Sequence, residues 1–435
     1  MYSNTGLGVA KSENGGTTWV DQVDGMTAVQ TFDIAQANDK NIVWIGANGG
    51  LAKTTNFTDT VPTWEYPILP DVGISSVQAV WVKPNNGNYV VAGLSDYISI
   101  STNGGATWNH ASTPAFFGRI EEIVPSSVDS QTLYAVYTNT SLIDDYYNGG
   151  VLKSIDSGVN WTELNFPTTL ASSALAVATN DGHDVLYVGI GSGGNETGVY
   201  TYNGTNWEKL DEDFNGLYVN NILVQPEDNN IIFVSCEAAS TIGSLFKSTD
   251  AGATWMVITA GLTDANHLGA MAVQSDKNDT MYLAGQESSS NQGLIYKSTD
   301  GGESWSTYYT GLKQEFYYAL QFDGLISGND RGLFSLKSLG KITLKSYRQN
   351  GQATLRITLR DAATRDVLSD RSLKIYRKVS GQTWKIIKRA TTNKRGRIVV
   401  RAAAAKKTKF KVIWQPQSAD QAEYTKTTSR LLTID

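Results

Sequence analysis

Between residues 27 and 311 the chain is a succession of short apolar runs, each interrupted by Gly, Asn, Asp or Ser. Residues 269–274, 280–285 and 293–298 are three such runs, rich in apolar, aromatic and β-branched side chains, and residues 304–308 make a fourth around Trp305. Runs of this length bounded by turn-forming residues predict β-strands. No window sustains the spacing of an amphipathic helix. The four-run succession recurs and closes each time on a tryptophan: Trp19, a degenerate copy at Trp64, then Trp108, Trp161, Trp207, Trp255 and Trp305. The tryptophans step by 45, 44, 53, 46, 48 and 50 residues. A period of this size holding only strands predicts the blade of a β-propeller.

The residues before each tryptophan predict a tight hairpin. Ser248-Thr249-Asp250-Ala251-Gly252-Ala253-Thr254-Trp255 and Ser298-Thr299-Asp300-Gly301-Gly302-Glu303-Ser304-Trp305 are typical, and the copy at 202–207 is shortened. Asp or Asn followed by Gly supplies the left-handed backbone of such a turn. The Ser and Asp side chains suit bonds to the local backbone. The indole is a large apolar surface to bury between neighbouring sheets. This pattern resembles the Asp-box, or BNR, repeat, Ser-x-Asp-x-Gly-x-Thr-Trp. That repeat occurs in sialidases, xyloglucanase-type glycoside hydrolases, sortilin-type receptors and the photosystem II assembly propeller. The resemblance covers residues 1–338 and implies a propeller. It also implies that the box lies on the periphery, away from any active site.

Six units are complete, and the ends of this region predict a seventh. Residues 318–322, 324–328 and 332–336 read as strands one to three, while 8–12 and 18–20 read as strands three and four. Joining them closes a seven-bladed ring and leaves no sheet edge open. One third strand is then surplus.

Charge divides the chain sharply. Residues 1–339 hold 13 Lys plus Arg against 36 Asp plus Glu, a balance of −23. Residues 340–435 hold 23 against 6, a balance of +17. The expected domains are therefore 1–338 and 339–435. In the second, strands are predicted at 342–347, 353–359, 372–378, 383–389, 397–402, 409–414 and 429–434. The run around Tyr376-Arg377, Trp384 and Thr392-Asn393-Lys394-Arg395-Gly396 resembles bacterial and archaeal Ig-like domains appended to secreted proteins. The expected fold class is all-β: a seven-bladed propeller plus an Ig-like β-sandwich, in a secreted or cell-surface protein. Met1 leads almost directly into a predicted strand, and no secretory signal or membrane-spanning run is visible.

The chemistry is narrowed by what the chain carries. Cys236 is the lone cysteine, and His110, His183 and His267 show no metal-ligand spacing, so neither a metal nor a cofactor is expected. A sialidase needs three arginines to clamp a carboxylate, and residues 1–339 contain only Arg119 and Arg331. A glycoside hydrolase needs two carboxylates across one cleft. Loops between second and third strands offer Asp96, Asp145, Glu237 and Glu287 as candidates. Tyr146, Tyr147, Phe214, Tyr308 and Tyr309 are candidate aromatic platforms for a bound sugar. In the basic domain, Arg356, Arg360, Lys374 and Lys378 alternate along strands, which predicts solvated basic faces. Such faces suit other copies of the chain or an anionic surface polymer, and nucleic acid less well, since no nucleic-acid motif accompanies them. The expected function is a non-catalytic binding or structural protein that anchors or self-assembles through its basic domain. The alternative is a polysaccharide-active glycoside hydrolase.

Overall fold

A computed structural model describes the backbone of residues 10–11, 20–21, 31–57, 63–69, 76–114, 118–140, 147–168, 171–191, 196–210, 214, 216–238, 241–262, 265–274, 277–287, 293–312, 317–321, 326–329, 332–335, 338–349, 352–361, 367–380, 382–404, 407–415, 424–425, 427–429 and 431–434. The fold is all-β. It divides into two compact units, Met1–Ala10 with Asp21–Phe334, and Lys11–Val20 with Ser335–Asp435.

The first unit is a series of small antiparallel sheets, one for each sequence repeat. Residues 77–110, 119–164, 172–209, 218–258 and 265–312 each give four strands in sequential order. Residues 31–54 give three, and the fourth is reduced to a single bridge between Lys53 and Glu65 beside the degenerate Trp64. The last sheet joins both ends of the unit: Tyr317–Gln321, Ile326–Asn329, Gly332–Ser335, Ala10–Lys11, Val20–Asp21, in that order. The surplus strand expected from the sequence is thus absorbed, and this sheet has five strands. First strands contact one another in chain order, and Tyr317–Gln321 contacts Thr31–Gln36, so the series returns to its start.

The cores lie between sheets. Trp108 packs with Trp44, Val43's neighbour on the preceding sheet, at 6.2 Å and near-perpendicular planes. Trp161 packs with Ala79, Trp81 and Val91 of the sheet before it, and Trp305 with Phe233 and Leu245 of its own predecessor.

Among the described residues, four hairpins are held by the same bonds, while in the shortened copy Asn203 Oδ1 receives the Thr205 and Asn206 amides. In the copy at 154–161, Ser154 Oγ donates to Asp156 Oδ1 (2.8 Å) and receives the Gly158 amide (2.9 Å), while Asp156 Oδ1 receives the Asn160 amide (2.9 Å). The copies ending at Trp108, Trp255 and Trp305 repeat this set. The degenerate copy shows two of these bonds across a longer loop: Thr54 Oγ1 donates to Asn56 Oδ1 (2.9 Å), which also receives the Thr63 amide at 2.8 Å. The hairpin's second glycine faces the preceding sheet. A Cβ at Gly105 would meet Trp44 at 2.9 Å, one at Gly158 would meet Val91 at 3.0 Å, and one at Gly302 would meet Phe233 at 2.5 Å.

A lysine of the preceding sheet completes this junction. Lys53 Nζ lies over the Trp44 ring and donates to the Gly104 carbonyl (3.1 Å) of the next hairpin. Lys247 Nζ lies over Phe233, donates to the Gly301 carbonyl (3.0 Å), and pairs with Glu303. Lys247 is buried, and its ammonium is met by a carbonyl, a ring face and the Glu303 carboxylate.

The second unit encloses one core between two sheets. Arg397–Ala403, Gln352–Asp361, Ser338–Gln349 and Tyr424–Thr425 form the first. Lys385–Thr391, Ser372–Lys378, Thr408–Trp414 and the short C-terminal strands form the second. Alternate residues point inward: Ala353, Leu355, Ile357 and Leu359 from one sheet, Phe410, Val412 and Trp414 from the other, all essentially fully buried.

Candidate functional site

Antiparallel order puts the start of each first strand, the end of the second and the start of the third at one end of the ring. The turns joining first and second strands and the tryptophan hairpins lie at the other. At the first end, every first strand is bulged near its start. Register shifts fall between Thr31 and Asp33, Val77 and Ala79, Ile120 and Glu122, Ser172 and Ala174, Val219 and Asn221, Ala265 and His267, and Tyr317 and Ala319. A bulge bends a strand and re-aims a side chain. Here the re-aimed polar groups stitch neighbouring sheets. Ser173 Oγ donates to the Val219 carbonyl (2.6 Å), and Asn220 Nδ2 to that of Leu268 (2.9 Å).

Two carboxylates do the same. Asp33 receives the amides of Ile34 and of Val80 on the next sheet, each at 2.7 Å. Glu122 receives the Leu175 amide of the next sheet at 2.7 Å. Burial pushes Asp33 up to about 6, against the pull of its amide donors. Burial also pushes Glu122 up to about 8, against the Leu175 amide and with help from the Asp33 charge. Glu121 is raised by burial too, partly offset by Arg119, whose guanidinium donates to Glu121 Oε1 at 2.8 and 3.1 Å.

Of the hydrolase candidates, Asp96, Glu237 and the backbone of Glu287 lie at this end. Asp96, in a left-handed conformation (φ 68°), exchanges bonds with Gly118: its Oδ1 receives the Gly118 amide (2.6 Å). That latches its loop to the start of the next sheet. Glu237, the penultimate residue of the strand Asp228–Ala238, pairs with His267 Nδ1 of the following sheet, both partly exposed. Asp145 lies outside the described residues, as does the side chain of Glu287.

Of the expected aromatic platforms, Phe214 has no exposed surface. It is packed against Phe246 (4.8 Å) and Trp255 (5.1 Å), so it is core and not a stacking face. Tyr308 lies, as the run at 304–308 predicts, on the outermost strand Ser306–Leu312, with Lys297 Nζ over its ring and Tyr282 beside it. Tyr309 is on the same strand and Tyr147 opens Tyr147–Ser154, but their side chains, like all of Tyr146, are outside the described residues.

The opposite end of the ring is acidic. Asp39, Asp129, Asp181 and Glu227 stand exposed at turns between first and second strands, and Asp228 and Asp279 stand exposed at the start of second strands. The hairpin aspartates add to them and are held ionised. Hydrogen bonds from Thr254 and Ser248 hold Asp250 below the usual carboxylate range. At Asp300 burial pushes upward, but bonds from Ser304 and Ser298 outweigh it.

In the second unit the four basic candidates fall on two different faces. Arg356 and Arg360 lie on the outer face of the first sheet, where Arg356 pairs across to Lys345 and Val399, and Arg360 to Lys341. Arg397 and Arg401 complete that face. Lys374 and Lys378 lie on the outer face of the second sheet, opposite Arg389 and Lys409. Among the described residues no cluster of His, Cys, Asp and Glu is placed to hold a metal ion, and no helix is long and apolar enough to cross a membrane.

Solved structures share the ring. "YCF48 bound to D1 peptide" is 16% identical over 70% of this chain and 90% of its own, with a TM-score of 0.50. An ancestral GH74 enzyme is 13% identical over 92% of this chain and 62% of its own, also at 0.50. A chain of the COPII coat assembled on membranes is 10% identical over 86% and 55%, at the same score. This chain thus spans less than two thirds of the last two. With the sheets described above, these likenesses define a β-propeller protein. A model of the Sortilin-Vps10 family, described as sortilin, neurotensin receptor 3, matches residues 199–425. That is more than half of the 435 residues, and the chain belongs to this family. No curated protein matches the sequence.

Proposed function

We propose that the protein is a non-catalytic, secreted or cell-surface scaffold: a seven-bladed Asp-box propeller followed by an Ig-like sandwich, self-assembling or anchoring through the sandwich. The observation that carries this reading is the division of charge, −23 over residues 1–339 and +17 over 340–435. Complementary fields steer association and select partners more than they set raw affinity. The engagement of Asp96 as a loop latch and the burial of Phe214 support a structural role for that end of the ring. Membership of a family described by a neurotensin receptor supports a protein partner over a sugar.

Sedimentation velocity of the full chain from about 50 mM to about 1 M salt tests the scaffold, because screening shortens the Debye length to about 3 Å at the upper end. Oligomers at low salt that dissociate at high salt are expected. A monomer at every salt and concentration overturns self-assembly.

The second reading, a glycoside hydrolase, is favoured by one observation, the Glu237–His267 pair at the loop end. A carboxylate beside an imidazole is equipment for proton transfer. Release of reducing ends from a polysaccharide panel, abolished by Glu237→Gln, would replace the scaffold with this enzyme.

A further inference from the structure

Building on the self-assembly reading, we propose that the outer face of the sheet formed by Ser338–Gln349, Gln352–Asp361 and Arg397–Ala403 docks on the hairpin end of the propeller of a second copy. Three observations point to this face. First, its described outward side chains hold cations and no acid: Lys341, Lys345, Arg356, Arg360, Arg397 and Arg401. Second, Lys345 stands directly opposite Arg356, and Lys341 opposite Arg360. Like charges opposed across strands oppose folding, so an acidic occupant relieves a repulsion already present. Third, Tyr347 (66% exposed) and Val399 (58% exposed) stand among these cations. An exposed aromatic and an aliphatic inside a charged field are the anchors a protein partner buries.

The outer face of the other sheet is built differently. Lys374, Tyr376 and Lys378 are partly covered, and Lys411 Nζ is already seated over the rings of Trp384 (4.7 Å) and Tyr376 (5.5 Å). Its field is partly spent within its own sheet.

The chain also supplies the complement. The turns and strand starts at the hairpin end of the propeller present the exposed carboxylates of Asp39, Asp129, Asp181, Glu227, Asp228 and Asp279, with Lys40 beside the first of them. Three strands with four outward residues each span about 300 Å², well under the roughly 800 Å² per partner of a stable complex. One contact is therefore weak and salt-labile. Because the two surfaces differ, repeating the contact builds closed rings, a reciprocal pair being the smallest, or open chains.

The test uses the full chain with charge reversals at exposed positions, each checked for an unchanged melting transition. One variant carries Lys345→Glu, Arg356→Glu and Arg397→Glu, and the matched control carries Lys374→Glu, Lys378→Glu and Lys409→Glu. A third carries Asp181→Lys, Glu227→Lys and Asp228→Lys. At about 50 mM salt, the first and third are expected to weaken self-association at least about tenfold and the control less than about threefold. Mixing the first and third should form a hetero-complex that neither forms alone. If the control loses association and the first variant keeps it, or both lose it equally, this face is wrong while self-assembly stands. If the wild type is monomeric, both readings fail. Tight binding of a single-stranded oligonucleotide, with association untouched by the third variant, overturns the proposal in favour of nucleic acid.

Discussion

Gly302→Ala is the sharpest probe of how the sheets are joined. The residue has φ +83°, and a Cβ there would sit 2.5 Å from both Cε1 and Cζ of Phe233. Phe233 has no exposed surface and carries Lys247 Nζ over its ring, so it is held on every side. Two costs add: about 1–2 kcal/mol for a left-handed alanine and about 1–3 kcal/mol for overpacking. The stiffer unfolded chain returns about 0.4–1 kcal/mol. The expected net loss is about 2–4 kcal/mol. Gly301→Ala is the control, because it shares the left-handed backbone (φ +68°) but its nearest new neighbour is Asp279 Oδ1 at 3.7 Å. It should lose only about 1 kcal/mol. Guanidinium titrations followed by tryptophan fluorescence give both values from midpoint and slope. Equal losses in the two variants would refute close approach between sheets as the reason for the second glycine.

Three further outcomes follow from the same structure. Asp300→Ala removes the acceptor of Ser298, of Ser304 and of the Ser304 amide and should lose about 1 kcal/mol at neutral pH. Because the folded Asp300 is held below the usual range, its contribution is present above that range and lost as pH falls, so variant and wild type should converge in acid. Asp33 and Glu122 act with the opposite sign: raised to about 6 and about 8, they keep protons that the unfolded chain releases above about pH 4, so their contribution to stability should fall as pH rises from about 4 to about 8. Glu122→Gln keeps an acceptor for the Leu175 amide and should flatten that slope; denaturant midpoints that rise with pH in the wild type would contradict the assignment. Lys247→Ala strips a buried ammonium from the Gly301 carbonyl and from Phe233 and should lose about 1–3 kcal/mol by thermal denaturation.

The repeat was legible because the hairpin is local. Ser, Asp, Gly and Trp at fixed offsets make bonds with one another, so spacing alone exposed both the turn and the period. The junction with the preceding sheet was not legible. Nothing local marks Lys53 or Lys247, since their carbonyl partners lie 51 and 54 positions further on. Phe214 misled for a related reason. It follows the acidic run Asp211-Glu212-Asp213, which reads as a solvated loop, yet its ring turns inward onto Phe246 and Trp255. The bulges left no trace in the sequence, because a single extra residue in one strand does not disturb an apolar run. The alternating cations of the second unit were visible. Their division between two faces required the strand pairing, which put Arg356 beside Lys345 and Lys374 beside Arg389.

The sheet shared by Ala10–Lys11, Val20–Asp21 and Gly332–Ser335 has a consequence for biogenesis. During synthesis the earliest strands wait while some 300 residues emerge, at about 5–20 residues per second. Through that interval, tens of seconds long, both flanks of the nascent arc offer unpaired strand edges to any passing chain. A cell making this protein gains from sheltering the growing end until the final strands arrive, and a refolding experiment should succeed in proportion to dilution. The weak point of the molecule is then temporal: the same seam that completes the ring is the last to form.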